Sequence, residues 1–318
     1  MAKKTLAIGV DVGGTKISMV VGHARGKIFA CRQIPTRAQT RRAIPEMIEN
    51  LKAFTEDPRF KGKIRGVGLG IPGPINNESG IVPFSPNLQG WKGVPLKRLL
   101  QKALKLPVRM ENDANAAGLG EKIFGQGRGL ENFIYITVST GIGGGIVVHG
   151  KLLEGASFVA GEVGHMTIVA NGERCGCGRK GCLEAYASGS AMARYAGKHL
   201  TPKEKKAILK YSSRGNLEAK TIGLAARSGN RAALKIYERA GFYLGIGIAN
   251  LLNILNPQKV ILGGGVWKSS PPEFWNAMMM SCKSQAWPQA FKTVNIVRSK
   301  LQGRAGDLGA LALVFENL

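Results

Sequence analysis

Aliphatic, β-branched runs broken by glycine turns set the elements of this chain. Leu6-Ala7-Ile8-Gly9-Val10 reads as a buried strand that runs straight into Asp11-Val12-Gly13-Gly14-Thr15-Lys16, before a second strand over residues 17–21. The same order returns at residues 134–138, then Ser139-Thr140-Gly141-Ile142-Gly143-Gly144-Gly145, then residues 146–148. A third β-branched run, residues 259–262, enters Gly263-Gly264-Gly265-Val266, and Pro271-Pro272 marks the start of a helix. Helices are also predicted from Asp113, where the chain turns alanine-rich, and at residues 306–315. Residues 241–255, apolar with closely spaced small side chains, suit a buried helix against a sheet.

The first two turns join strand to strand. That excludes the Walker loop and the dinucleotide fingerprint, both of which need a helix N-terminus after the glycines. Gly13 and Gly14 let backbone N–H groups approach phosphate oxygens, with Thr15 and Lys16 as side-chain donors and Asp11 as a holder of Mg²⁺. Thr140, Gly141 and Gly143 offer the same kind of cradle in the second turn. Either turn alone also reads as a plain glycine hairpin; the pair suggests duplicated halves that share one polyphosphate. The third turn, with Gly264 and Gly265, reads either as the flank of a purine ring or as a simple strand-to-helix connection.

Composition bears on compartment and partners. At 318 residues and 44% hydrophobic, the chain buries a sizeable core and is read as two domains. The first apolar run ends at Asp11, too early for a leader peptide or a membrane span, so the cytoplasm is expected and a membrane is not. With 45 Lys and Arg against 20 Asp and Glu, the net charge is +25. A solvated basic surface and attraction to polyanions are both open readings, although no aromatic-interleaved strip marks a nucleic-acid groove.

The chemistry-bearing residues fall in two groups. His165, Cys175, Cys177 and Cys182 follow the pattern H-x9-C-x-C-x4-C, which suits a closed, structural Cys3His zinc site; five cysteines and no leader argue against disulfides. Two carboxylates, Glu162 and Glu184, flank it and read either as acceptors for paired sugar hydroxyls or as exposed or capping residues. His165 is then shared between metal and substrate. In the second group, Glu111-Asn112-Asp113 opens the alanine-rich helix after an edge strand read at residues 106–110. Asp113 reads as an N-cap or as the general base that takes a proton from an attacking hydroxyl, with Asn112 bonding the same polyol.

Together these residues resemble the ROK family of sugar kinases and regulators over nearly the whole chain. The family's first phosphate motif is similar to residues 11–16, its catalytic motif to 111–113, its second phosphate motif to 139–145, and its sugar-and-zinc signature to 161–189. Ser139 stands where glycine is common. The resemblance implies that Asp113 is the base, that Asn112, Asp113, Glu162, His165 and Glu184 hold the sugar, and that His165, Cys175, Cys177 and Cys182 bind Zn²⁺. Ser85-Pro86-Asn87-Leu88-Gln89-Gly90-Trp91 is similar to a segment of the bacterial glucokinases in the family, which places Gly73 and Asn87 along the hexose. Phe124-Gly125-Gln126-Gly127-Arg128-Gly129 is as similar to the N-acetylmannosamine kinases, so glucose is favoured over its alternatives without being fixed.

The implied fold is α/β, a two-lobed actin-like/ribonuclease-H-like ATPase fold with a zinc-braced loop in the second lobe. Residues 1–113 are expected to form the first lobe with a helix at 303–318 packing back on it, and 114–302 the second lobe with the zinc and sugar sites. The implied reaction transfers the γ-phosphoryl of ATP, with Mg²⁺, to the 6-hydroxyl of a hexose. A homodimer or higher homo-oligomer is expected. Only ten residues precede Asp11, too few for a helix-turn-helix, so neither repression nor specific nucleic-acid binding is expected. A polyphosphate-using kinase and a non-catalytic sugar sensor are the alternatives.

Overall fold

The computed structural model describes residues 5–82, 88–301 and 303–316. Its packing forms two units. One runs from the first described residue to Tyr135 and includes Gly145–Gly161 and the described residues from Ser299 on; the other holds Ile136–Gly144 and Glu162–Arg298.

The first unit is built on strands β1 (Leu6–Val12), β2 (Lys16–His23), β3 (Ile28–Pro35), β4 (Ile64–Ile71) and β5 (Val108–Asn112), in the order β3-β2-β1-β4-β5. β1 pairs antiparallel with β2, closing at Val12 opposite Ile17, and parallel with β4, which pairs parallel with the edge strand β5. Successive side chains point to opposite faces of a sheet, and here both faces are covered. Ile8, Val10 and Val12 share a core cluster with Met47 and Leu51 of α1 (Thr40–Glu56) and Leu100 of α2 (Leu96–Leu104).

Across the sheet, Ala7 and Val20 meet Leu308 and Leu311 of the last helix (Ala305–Phe315). That helix lies almost on the strand backbones. A Cβ added to Gly9 would come 2.8 Å from the Asp307 carbonyl oxygen, and one added to Gly68 would overlap the Ala310 carbonyl. The last helix also packs on α3 (Asp113–Phe124), where Gly120 and Gly309 approach each other. The sequence puts a lobe boundary at residue 113. In the structure α3 groups with the first unit, because it lies against both the last helix and β4.

A second five-stranded sheet has the order β10-β9-β6-β7-β8, with β6 (Phe133–Val138), β7 (Ile142–Val148), β8 (Lys151–Leu152), β9 (Lys259–Gly263) and β10 (Asn295–Arg298). Helices α4 (Glu184–Ala187), α5 (Gly189–His199), α6 (Pro202–Leu209) and α7 (Ala219–Arg227) lead to the long α8 (Arg231–Leu255). After β9 come α9 (Gly265–Ser269), α10 (Pro272–Gln285) and α11 (Pro288–Thr293). The small residues of α8 face a helix and not a sheet: Gly241 and Gly245 lie against the backbone of Phe274 and Met278 in α10. Among the described residues no helix is long and apolar enough to cross a membrane.

Candidate active site and metal centre

In the first unit, the β1–β2 hairpin leaves a turn at residues 13–16, closed by the Gly13 N–H donating to the Lys16 carbonyl at 3.0 Å. Thr36, just past β3, pins it from the side: its hydroxyl donates to the Gly13 carbonyl at 2.6 Å and its N–H to that of Thr15 at 3.0 Å. Gly14, Thr15 and Lys16 remain exposed, as a phosphate cradle requires.

Asp11, one residue before the end of β1, feels two other carboxylates. Burial, then Asp113 and Asp307, push its pKa up to about 7, with Lys16 acting in the opposite direction. Burial also raises Asp307, against the lowering effect of the Ser18 hydroxyl, Lys16 and Arg304. Nothing in the sequence links Asp307 to Asp11. Only the packing of the last helix on β1 brings it there.

Asp113 is the first residue of α3, and the N-cap is its neighbour: the Asn112 side-chain oxygen accepts the N–H groups of Ala114 at 2.9 Å and Asn115 at 3.1 Å. Asp113 Oδ1 accepts the Ala114 N–H as well, at 2.9 Å. Asn112 Nδ2 donates to the carbonyl of Gly73, whose φ of +108° only glycine adopts readily. One amide hydrogen of Asn112 is left for a ligand hydroxyl. Beneath them the buried Glu111 carboxylate accepts the Asn112 N–H at 2.7 Å and the Asn115 amide at 3.0 Å. Burial raises Glu111 to about 7 despite those donors, and Glu154 adds to the rise. Glu154 is absent from the sequence-derived site because it follows β8 in an ordinary polar stretch. Asn87 lies outside the described residues.

In the second unit the turn after β6 is shorter than the glycine run suggests. It spans residues 139–141, and Gly143 sits within β7. The Ser139 carbonyl accepts the Gly189 N–H at 2.8 Å and that of Thr140 accepts the Ser190 N–H at 3.2 Å, fastening the turn to the start of α5. The Ser139 hydroxyl accepts the Gly265 N–H at 3.1 Å. Gly264, at φ +98°, rests against the Val138 peptide, so the second and third glycine turns are neighbours.

His165, Cys175, Cys177 and Cys182 converge, with donor atoms all within 4.8 Å of one another. Cys175 Sγ lies 3.8 Å from His165 Nδ1, and Cys177 Sγ 3.7 Å from Cys182 Sγ. Tetrahedral zinc with ligand bonds of 2.0–2.3 Å separates its ligands by about 3.4–3.8 Å; these two pairs match that spacing, and the donor set as a whole is compatible with zinc. Burial pushes the Cys175 thiol up to about 12; against the same effect, the Arg179 N–H and both neighbouring thiols bring Cys177 down to about 7. Thiols this close ionise together only beside a cation.

The 3-10 turn Val163–His165 aims the other imidazole nitrogen at Glu162, whose carboxylate is 3.8 Å away. Glu184, first residue of α4, bridges two features: one oxygen accepts the Ile142 N–H at 2.9 Å and the other lies 3.7 Å from Cys175 Sγ. Aromatic packing supports the cysteine loop independently. The Tyr186 hydroxyl accepts the Glu173 N–H, and the Arg239 guanidinium lies 5.2, 4.2 and 4.9 Å from the rings of Tyr186, Tyr195 and Tyr243.

Two mixed sheets, glycine turns at strand ends and a carboxylate opening a helix after an edge strand define a two-sheet α/β kinase fold. The chain belongs to the ROK family, whose family model matches residues 7–317. A glucokinase of Halalkalibacterium halodurans is 42% identical over 267 residues, 82% of this chain and 81% of that one. A xylose repressor of Bacillus subtilis is 35% identical over 99% of this chain and 78% of its own. Among solved structures, a Streptomyces griseus ROK glucokinase in complex with glucose and AMPPNP matches with a TM-score of 0.82 and 34% identity, covering 98% of this chain and 99% of that one.

Proposed function

We infer that this protein is an ATP-dependent hexose kinase, with glucose as its substrate and an actin-like/ribonuclease-H-like division into two lobes. The carrying observation is the grouping of Asp113 with Asp11 at the strand ends beside the open turn of residues 13–16. The glucokinases among the relatives supply the substrate class. Asp113 accepts the proton of the hexose 6-hydroxyl as that oxygen attacks the γ-phosphorus in line, and ADP leaves. Gly13, Gly14, Thr15 and Lys16 hold phosphate oxygens from one turn, and Thr140 and Gly141 from another. Gly264 and Gly265 flank the nucleoside, a reading supported by the Ser139–Gly265 bond.

Asp11 would hold Mg²⁺, which would supply charge neutralisation for the transferring phosphoryl. Asn112, Glu162, His165 and Glu184 orient the sugar hydroxyls, with Gly73 shaping the wall through Asn112. The Cys3His cluster fits a structural Zn²⁺ that keeps His165 and Glu184 in place. A coupled assay over glucose, mannose, fructose, N-acetylglucosamine and N-acetylmannosamine, with ATP or polyphosphate as donor, tests the reading. Glucose with ATP should give the highest kcat/KM; no turnover with any pair would leave a sugar sensor.

A further inference from the structure

The basic run of residues 61–65 plays no part in the kinase reading, yet it lines a cavity of about 640 Å³. Leu6, the first residue of β1, and Arg65, at the start of β4, form part of its wall. The phosphate turn follows the opposite end of β1, about 20 Å away for seven residues of strand. The cavity is therefore separate from the catalytic groups of the same unit.

Its lining combines cations with aromatic surface. Arg59, Lys61, Lys63 and Arg65 contribute four positive charges and no lining residue is acidic. Asp57 engages Arg59 at 2.7 Å, and the Lys63 amine donates to the Arg59 carbonyl at 2.8 Å. No salt bridge among the described residues involves Lys61 or Arg65. Phe60 is buried with the Arg59 guanidinium 4.8 Å from its ring centre, while Phe29 is 40% exposed, with the Lys27 ammonium 5.4 Å from its own.

We propose that this cavity is a second nucleotide site, in which a base stacks on Phe29 while its phosphates meet Lys61 and Arg65. Each simpler occupant leaves one feature unused. A bare polyphosphate satisfies the cations and wastes the phenylalanines. A hexose finds no carboxylate to accept its hydroxyls. A second copy of this chain brings another +25 to a basic wall. A nucleotide matches the aromatic surface, the charge and a volume within the usual range of ligand pockets.

Equilibrium dialysis with ADP at saturating glucose tests this. Two classes of site per chain are expected. Phe29→Ala and Arg65→Glu should each weaken the second class about tenfold, a loss of about 1.4 kcal/mol, while leaving the first class and the KM for ATP unchanged. Lys61→Glu should repeat the result if either variant fails to fold. Adenosine and tripolyphosphate should each displace ADP from this class more weakly than ADP itself. A single class indifferent to these variants, a second class indifferent to them, or tripolyphosphate binding as tightly as ADP would overturn the proposal. Loss of the first class alone would count against the kinase reading and leave this one standing.

Discussion

Glu184 and Ile142 are joined by a 2.9 Å hydrogen bond that runs from the backbone N–H of the first residue of β7 to a carboxylate beside the cysteine cluster. Glu184, proposed to hold the sugar, thus also fixes the strand that follows the second glycine turn. Cys182→Ala should abolish zinc binding, measured as metal content of the purified protein, and raise the KM for ATP as well as for glucose. An increase confined to glucose would show that the Glu184 bridge transmits nothing.

Asp113→Asn keeps an oxygen that accepts the Ala114 N–H, so the start of α3 should survive. Removal of the base should lower kcat by about three orders of magnitude, with the KM for glucose changed less than about threefold. Steady-state kinetics read both numbers; near-normal kcat would exclude Asp113 as the base.

The Ser139 hydroxyl accepts the Gly265 N–H, a bond that glycine at this position cannot form. Ser139→Ala should raise the KM for ATP about three- to tenfold and leave that for glucose in place, with Ser139→Thr restoring it. Equal changes in both constants would mean that the bond holds the unit together without serving the nucleotide.

Asp11 and Glu111 both have pKa values raised to about 7, so the folded chain holds more protons than the unfolded chain between the ordinary carboxylate range and neutrality. Stability should therefore fall as pH rises from 4 to 7 and level off above. Asp11→Asn should scarcely change the melting temperature at pH 4 and raise it at pH 8, without nucleotide or metal. A shift of the same size at both pH values would contradict the burial of that charge.

Gly68 lies under the Ala310 carbonyl, whereas a Cβ on Gly197, in α5, would meet nothing within 4 Å. Gly68→Ala should cost about 1–3 kcal/mol of unfolding free energy, and Gly197→Ala should add about 0.5–1 kcal/mol. Urea denaturation measures both, and equal effects would remove the case for helix-on-strand contact.

Much of the site is local and therefore visible in sequence. β1, β2, β6 and β9 lie where β-branched runs place them, and the four metal-ligand candidates converge as their spacing predicts. What sequence misses is set by packing between distant segments. Gly143 and Gly145 belong to a strand and not to a turn; a Cβ on Gly145 would come 2.9 Å from the Ala114 carbonyl. Glu154 and Asp307 look like ordinary surface acids until β8 and the last helix bring them near Glu111 and Asp11. The sequence reads Asp113 as the N-cap candidate of α3, whereas the cap is its neighbour Asn112.

The glycine-lined face of β1 and β4 is covered by residues 305–315, which leave the ribosome long after the strands they shield. At about 5–20 residues per second, that sheet emerges half naked and waits on the order of ten seconds for its cover. Synthesis and folding of the first unit are thus uncoupled in time, and chaperone capture of nascent chains should peak before residues 305–315 are read.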